Sequence, residues 1–281
     1  MDTWGPYKVS THDGHKYFLT IVDDFSRGTW TYLLKTKSNA FPVLKQFLAL
    51  VERQFNSKVK IVRSDNAKEL GSSLSNSDFF SSQGILHQTS CVATPQQNGI
   101  VERKHKHLLE TCRALLFQSN LPLIYWGECL LTATHIINRL PSRILNFQTP
   151  YQILFSKPPN YHSFRNFGCL CYASTLSQHR SKLDPRAVKC VFIGYPFNQK
   201  GYKLLNLSTR TIFVSRDVKF HEDIFPFLTS SSHTPLFPSN NHIFFDISTS
   251  SIPGAVHSSY FRIRLSLHLL IIRLMITLLL F

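Results

Sequence analysis

Asp2, Asp65 and Glu102 are the residues of this 281-residue chain whose types and company could do chemistry together. Asp2 stands in Met-Asp-Thr-Trp-Gly-Pro, and Asp65 closes the run Ile-Val-Arg-Ser-Asp-Asn. Glu102 follows thirty-seven positions later in Thr-Pro-Gln-Gln-Asn-Gly-Ile-Val-Glu-Arg-Lys. Carboxylate oxygens are hard ligands, and three from separate elements can share two Mg²⁺ ions set roughly 3.5–4 Å apart over a phosphodiester. Taken singly, each has a plainer reading. Asp2 suits a turn, Asp65-Asn66 a helix cap, and Glu102 a solvated helix face.

The elements that must position them can be read from pattern. Residues 15–26 and 29–35 are rich in aromatic and β-branched side chains and predict two strands joined at Ser26-Arg27-Gly28. Phe41, Leu44, Phe47, Leu48, Val51 and Phe55 recur at helical spacing and predict a helix over 38–55. Val59–Val62 predicts a strand delivering Asp65, residues 76–83 a short helix, and Ile85–Thr89 another strand. Pro95 to Gly99 reads as a polar loop. The helix expected from Ile100 to Gln118 buries Val101, Leu108, Cys112 and Leu115, and another runs from Tyr125 to Asn138. The sum is an α/β layered domain over residues 1–155.

Pro150, Pro158 and Pro159 punctuate its exit. Short β-type runs at 169–173, 187–195, 201–206, 210–214 and 218–221 then predict a small barrel-like module over 162–226. Residues 227–281 form the third expected part. Within it, 229–259 is Ser/Thr/Pro/Asn-rich and reads as disordered linker. Leu265–Phe281 is almost wholly apolar but interrupted by His268 and Arg273. It is shorter than the roughly 20 residues of a membrane helix, so an accidental extension is favoured over an anchor.

Charge narrows the partner. Lys and Arg outnumber Asp and Glu by 31 to 16. Residues 1–161 carry +7 and residues 162–226 carry +6, so both expected domains are basic, which favours a polyanion. The six cysteines lack paired Cys-x-x-Cys spacing, and Cys112 and Cys129 fall on apolar helix faces. No secretory signal opens the sequence, and a reducing compartment is expected.

The four strings Asp2-Thr-Trp-Gly-Pro, Val22-Asp-Asp-Phe-Ser-Arg, Arg63-Ser-Asp-Asn-Ala-Lys-Glu and Thr94–Lys104 occur in order. Together they resemble the integrase core of Ty1/copia-type LTR retrotransposons. The stretch from Asn166 to Pro226, with Lys189-Cys-Val-Phe-Ile-Gly-Tyr at its centre, looks like the SH3-like module that follows that core. The resemblance implies a ribonuclease H-like fold whose catalytic and metal-holding triad falls on Asp2, Asp65 and Glu102. It also implies a pair of Mg²⁺ or Mn²⁺ ions, trimming of cDNA ends and their joining to target DNA, a homo-oligomer, and a nuclear or cytoplasmic setting. Gln96, Gln97 and Asn98 are expected on a mobile loop against the DNA end. Arg103, Lys104 and Lys106 lie beside Glu102 and are expected to hold phosphates, Lys106 first.

Departures matter as well. Ala67-Lys68 stands where many relatives carry two glycines, and Leu70 where Phe is common. Asp23 and Asp24 are expected to be structural, and Glu69 is a weaker accessory carboxylate. His105 is expected on the basic helix face and His87 in a strand. The family's upstream His/His/Cys/Cys zinc-binding region has no counterpart here. Met1 reads as an internal methionine serving as a start, so the strand bearing Asp2 is expected to be short and frayed. A DNA-binding remnant without turnover is therefore the alternative to an integrase.

Overall fold

The computed structural model describes residues 1–65, 70, 74–91, 98–175 and 181–229. Residues 1–227 form one compact unit, and the linker and apolar-tail readings beyond 229 lie outside the described residues. Among the described residues no helix is long and apolar enough to cross a membrane.

The first half is the expected ribonuclease H-like arrangement of strands and helices. β1 (Asp2–Trp4), β2 (Tyr17–Val22) and β3 (Thr29–Leu34) make an antiparallel sheet in that order, with Asp2 opposite Thr20. α1 (Ala40–Phe55) follows, ended by Asn56 in the left-handed region. β4 (Ile61–Ser64) then pairs in parallel with β5 (Leu86–Thr89), and α2 (Leu74–Ser82) crosses between them. α3 (Gly99–Ser119) and α4 (Trp126–Ile137) complete the layer. The Met1 nitrogen donates to the Arg63 carbonyl at 2.7 Å and links the two small sheets.

Alternation along β2 decides which face meets which helix. Leu19 and Ile21 point to a core built with Phe41, Leu44 and Phe47 of α1, together with Met1, Val62 and Phe80. Phe18 points the other way, into a core with Leu108, Cys112 and Leu115 of α3 and Leu130 and Ala133 of α4. The two helical layers therefore cover opposite faces of one strand.

Three sequence readings need correction. Pro150 does not merely end the domain: Thr149 accepts a hydrogen bond from the Gln152 nitrogen and Pro150 opens α5 (Pro150–Phe155), since proline's missing N–H costs nothing in a first turn. His105 does not lie on the exposed basic face but is buried. The strand bearing Asp2 is short but not loose. Met1 is buried, its nitrogen is bonded to Arg63, and its carbonyl accepts from Asn98 at 3.5 Å.

The second half is a five-stranded antiparallel sheet, as expected of an SH3-like module. β6 (Leu170–Ser174), β7 (Ala187–Gly194), β8 (Tyr202–Asn206), β9 (Ile212–Ser215) and β10 (Val218–His221) lie in the order β10-β6-β7-β8-β9. It shares a core with the first half: Val191, Ile193 and Leu205 pack with the α3 and α4 side chains. At Gly194, with φ of +133°, an added Cβ would strike the Thr132 hydroxyl, so glycine lets β7 lie against α4. Beneath that contact, Lys203 of β8 reaches both oxygens of the buried Glu128 of α4 at 2.7 Å, and His12 Nε2 approaches the same carboxylate at 3.2 Å.

Two outcomes follow from this junction. Lys203→Met leaves Glu128 buried without its cation and should lower unfolding free energy by about 3 kcal/mol. Adding Glu128→Leu should recover most of that loss in urea melts. His135 stacks on Tyr195 at 3.9 Å, and burial, then the Arg139 charge, pushes its pKa down to about 3. The unfolded chain protonates this ring near pH 6.5 and the folded chain does not, so stability is complete above that pH and falls as pH drops toward 3. His135→Gln should flatten that part of the stability–pH curve.

Candidate active site

Asp2 is fixed by its strand rather than by a side-chain partner of opposite charge. Its Oδ1 accepts the Thr3 backbone N–H at 2.7 Å. Oδ2 faces His105 Nδ1 at 3.6 Å, an approach rather than a hydrogen bond. The His105 ring stands edge-on to Phe18, with centroids 5.4 Å apart. Burial keeps this imidazole neutral and lowers its pKa to about 4, with the chain's N-terminal ammonium adding to the effect.

The Asp2 carboxyl is pushed up to about 6. Burial is the largest cause and the charge of Asp65 the next. Glu102 raises it further, while the Thr3 N–H and the Met1 ammonium act the other way. Three negative groups from β1, the end of β4 and the first turn of α3 thus repel across one space. Around it, the hydroxyl of Thr20, which is Asp2's cross-strand neighbour, is buried without a hydrogen-bond partner, as is Nε2 of His105.

These features fit divalent cations. The donors are hard carboxylate oxygens whose charges repel at Asp2, and buried polar atoms without a hydrogen-bond partner lie beside it. In their present rotamers, however, no group of three or more His, Cys, Asp or Glu side chains among the described residues is arranged to ligate a metal. Asp2, Asp65 and Glu102 come near enough to feel each other electrostatically without closing into a cage.

The remaining candidates divide. Gln96, Gln97 and Glu69 lie outside the described residues. Asn98 is buried, precedes α3 and holds the Met1 carbonyl, in contrast to a place at a mobile loop tip. Arg103 and Lys106 are exposed on α3, and Lys106 sits 3.9 Å from Glu110. Lys104 is half-buried, and burial, with the Arg27 charge behind it, lowers its pKa to about 8. Asp23 is structural as expected, capping the β2–β3 turn by accepting from the Ser26 nitrogen and hydroxyl. Sequence reading missed Thr20, Arg27 and Arg63, whose guanidinium lies 3.6 Å from Asp24.

The electrostatic reading has a direct check. Asp65→Asn removes the larger of the two carboxylate repulsions, so the Asp2 titration followed by its carboxyl carbon resonance should shift down from about pH 6. An unmoved midpoint would mean that the two groups do not share a site.

Comparison with known proteins follows the same division of the chain. Residues 1–95 match the integrase core domain family, and residues 169–233 match the retroviral polymerase SH3-like domain family. The chain is 39% identical over 226 residues to the retrovirus-related Pol polyprotein from transposon RE1 of Arabidopsis thaliana, covering 80% of this chain and 15% of that one. It is 40% identical over 221 residues to the corresponding polyprotein from transposon TNT 1-94 of Nicotiana tabacum, covering 79% and 17%. The chain thus spans less than a fifth of the length of these relatives. Among solved structures, a chain of the simian T-cell lymphotropic virus intasome in complex with PP2A regulatory subunit B56 gamma aligns at 18% identity with a TM-score of 0.42, over 71% of this chain and 72% of that one.

Proposed function

The chain carries an integrase core domain followed by a retroviral polymerase SH3-like domain, like the Pol polyproteins of copia-type plant transposons, and we propose that it acts on DNA as the integrase segment of such an element. The observation that carries this reading is the crowding of three carboxylates. Asp2 is held near pKa 6 by burial and by the charges of Asp65 and Glu102.

Asp2, Asp65 and Glu102 would hold a pair of Mg²⁺ or Mn²⁺ ions. Bound there, the pair would supply activation of an oxygen nucleophile and neutralisation of the leaving 3′ oxygen. The chain's own residues do the positioning. The Thr3 N–H fixes one oxygen of Asp2 and leaves the other turned to the site. The neutral His105 ring stands 3.6 Å from that second oxygen and gives it no opposing charge. Lys106 and Arg103, exposed on the helix that carries Glu102, would hold DNA phosphates, and the half-buried Lys104 would add charge deeper in. The substrates are cDNA ends and target DNA, the setting nuclear or cytoplasmic, and a homo-oligomer brings two ends together.

One observation favours the second reading, a DNA-binding remnant without turnover. The three carboxylates do not form a ligating group in their present rotamers. Two measurements separate the readings. Lys106→Glu should weaken binding to DNA of any sequence and reduce the slope of log affinity against log salt by about one unit under both. Joining of a matched DNA end with Mg²⁺ or Mn²⁺, abolished by Asp65→Asn, supports the integrase. Binding without joining supports the remnant.

A further inference from the structure

β6 lies between β10 and β7, and its alternate residues face opposite ways. Cys171 and Ala173 are buried and share a core with Cys190, Phe192 and Leu204. Leu170, Tyr172 and Ser174 stand on the other face. Leu170 is buried opposite Val191, which packs with the first half of the chain, so that end of the face is covered. Ser174 is exposed and Tyr172 is half-buried. These two border an open depression of about 640 Å³ whose lining also includes Arg186, Asp217, Lys219 and His221.

Register sets a row across three strands. Lys219 of β10 and Lys189 of β7 are both direct cross-strand partners of Tyr172. The lysines are thus two strand spacings apart, roughly 9–10 Å along the ladder. Both are exposed, as is Arg186, and among the described residues none of the three makes an ion pair. The carboxylate in the lining, Asp217, is engaged by Arg216 at 3.3 Å. Lysine on an edge strand such as β10 discourages unwanted strand pairing, but β7 is inside the sheet, so that role does not account for Lys189. Nor does it account for an aromatic ring set between two cations. The ring contact of Tyr172 is with His221, nearly perpendicular to it at 5.5 Å, and among the described residues no ring is stacked on it.

We infer that this face binds an unpaired nucleic-acid strand, with one base stacked on Tyr172 and the phosphates on either side of it held by Lys189 and Lys219. A polyanion relieves the repulsion among the cations, and the aromatic ring adds base stacking that tolerates any sequence. A duplex keeps its base faces within its own stack and would use the charges alone. Bases and phosphates are common to DNA and RNA, so the chemistry admits a strand of either kind. The inference does not rest on the integrase reading, because it uses none of the three carboxylates.

The full chain is titrated with labelled strands of about twelve thymidines or twelve uridines, with a matching DNA strand made abasic throughout, and with a duplex of equal length. Expected is saturable binding of the unpaired strands, the tighter of the DNA and RNA arms marking the source, and about tenfold weaker binding of the abasic strand. Tyr172→Ala should weaken binding of the thymidine strand about tenfold, the weight of one stacked base, and leave affinity for the abasic strand and the duplex unchanged. Tyr172→Phe keeps the ring and should bind as the native chain does. Lys189→Gln and Lys219→Gln, both at exposed positions, should each lower the slope of log affinity against log salt by about 0.7 on the thymidine strand, and they decide the matter if Tyr172→Ala fails to fold. Equal binding of the abasic strand by the native chain, or an unchanged slope in both lysine variants, would overturn the inference. So would a folded Tyr172→Ala chain that binds the thymidine strand normally or loses the duplex equally. Any of these failures leaves the integrase reading standing, since no arm involves end joining.

Discussion

The position of β1 is the constraint on which the site depends. Three residues of backbone set Asp2 between a ladder to β2 and one N–H···O contact from Met1 to Arg63 of β4. Asp65 ends β4 and Glu102 opens α3, so the separation of the three carboxylates is decided by how closely β1 approaches β4 and by how α3 lies on the sheet. Side-chain pairing contributes little, because the Met1 ammonium and the Thr3 N–H do not fully offset what acts on Asp2. Its charge is opposed by burial and by two other carboxylates. A site of this kind stores repulsion that a bound divalent ion would relieve, and its geometry comes from the scaffold.

Much of that scaffold was legible because the signals were periodic. The spacing of Phe41, Leu44 and Phe47 predicted α1, and all three are buried against β2. Val101, Leu108, Cys112 and Leu115 were read correctly as the inner stripe of α3. The misreading of His105 came from its neighbours Lys104 and Lys106, which suggested a basic face. Its position was available: 101, 105, 108 and 112 follow the helical spacing of a single buried stripe. Thr149-Pro150 was likewise a cap and first-turn proline, taken for a break.

Other features left no local trace. Glu128 lies in a helix otherwise rich in buried apolar residues, and its partner Lys203 is 75 positions away on a strand of the other module. Asn98 illustrates the same limit. A polar residue in a Gln-Gln-Asn-Gly string reads as exposed, and only the fold brings the Met1 carbonyl to it.

The junction between the two halves bears on how a basic protein would engage a long polyanion. Retroviral-type modules joined by a bare linker would sample many mutual orientations, and each phosphate contact would carry its own ordering entropy. Here Val191, Ile193 and Leu205 complete the core that α3 and α4 begin, and Lys203 is fixed on Glu128 beneath them. The same helix, α3, therefore carries Glu102 and Lys106 at one end and supports the SH3-like sheet along its buried side. Basic side chains of both halves are thereby carried on one packed frame. That coupling asks two things of α4: an apolar face for packing, and one buried carboxylate to set the register of β8 against it.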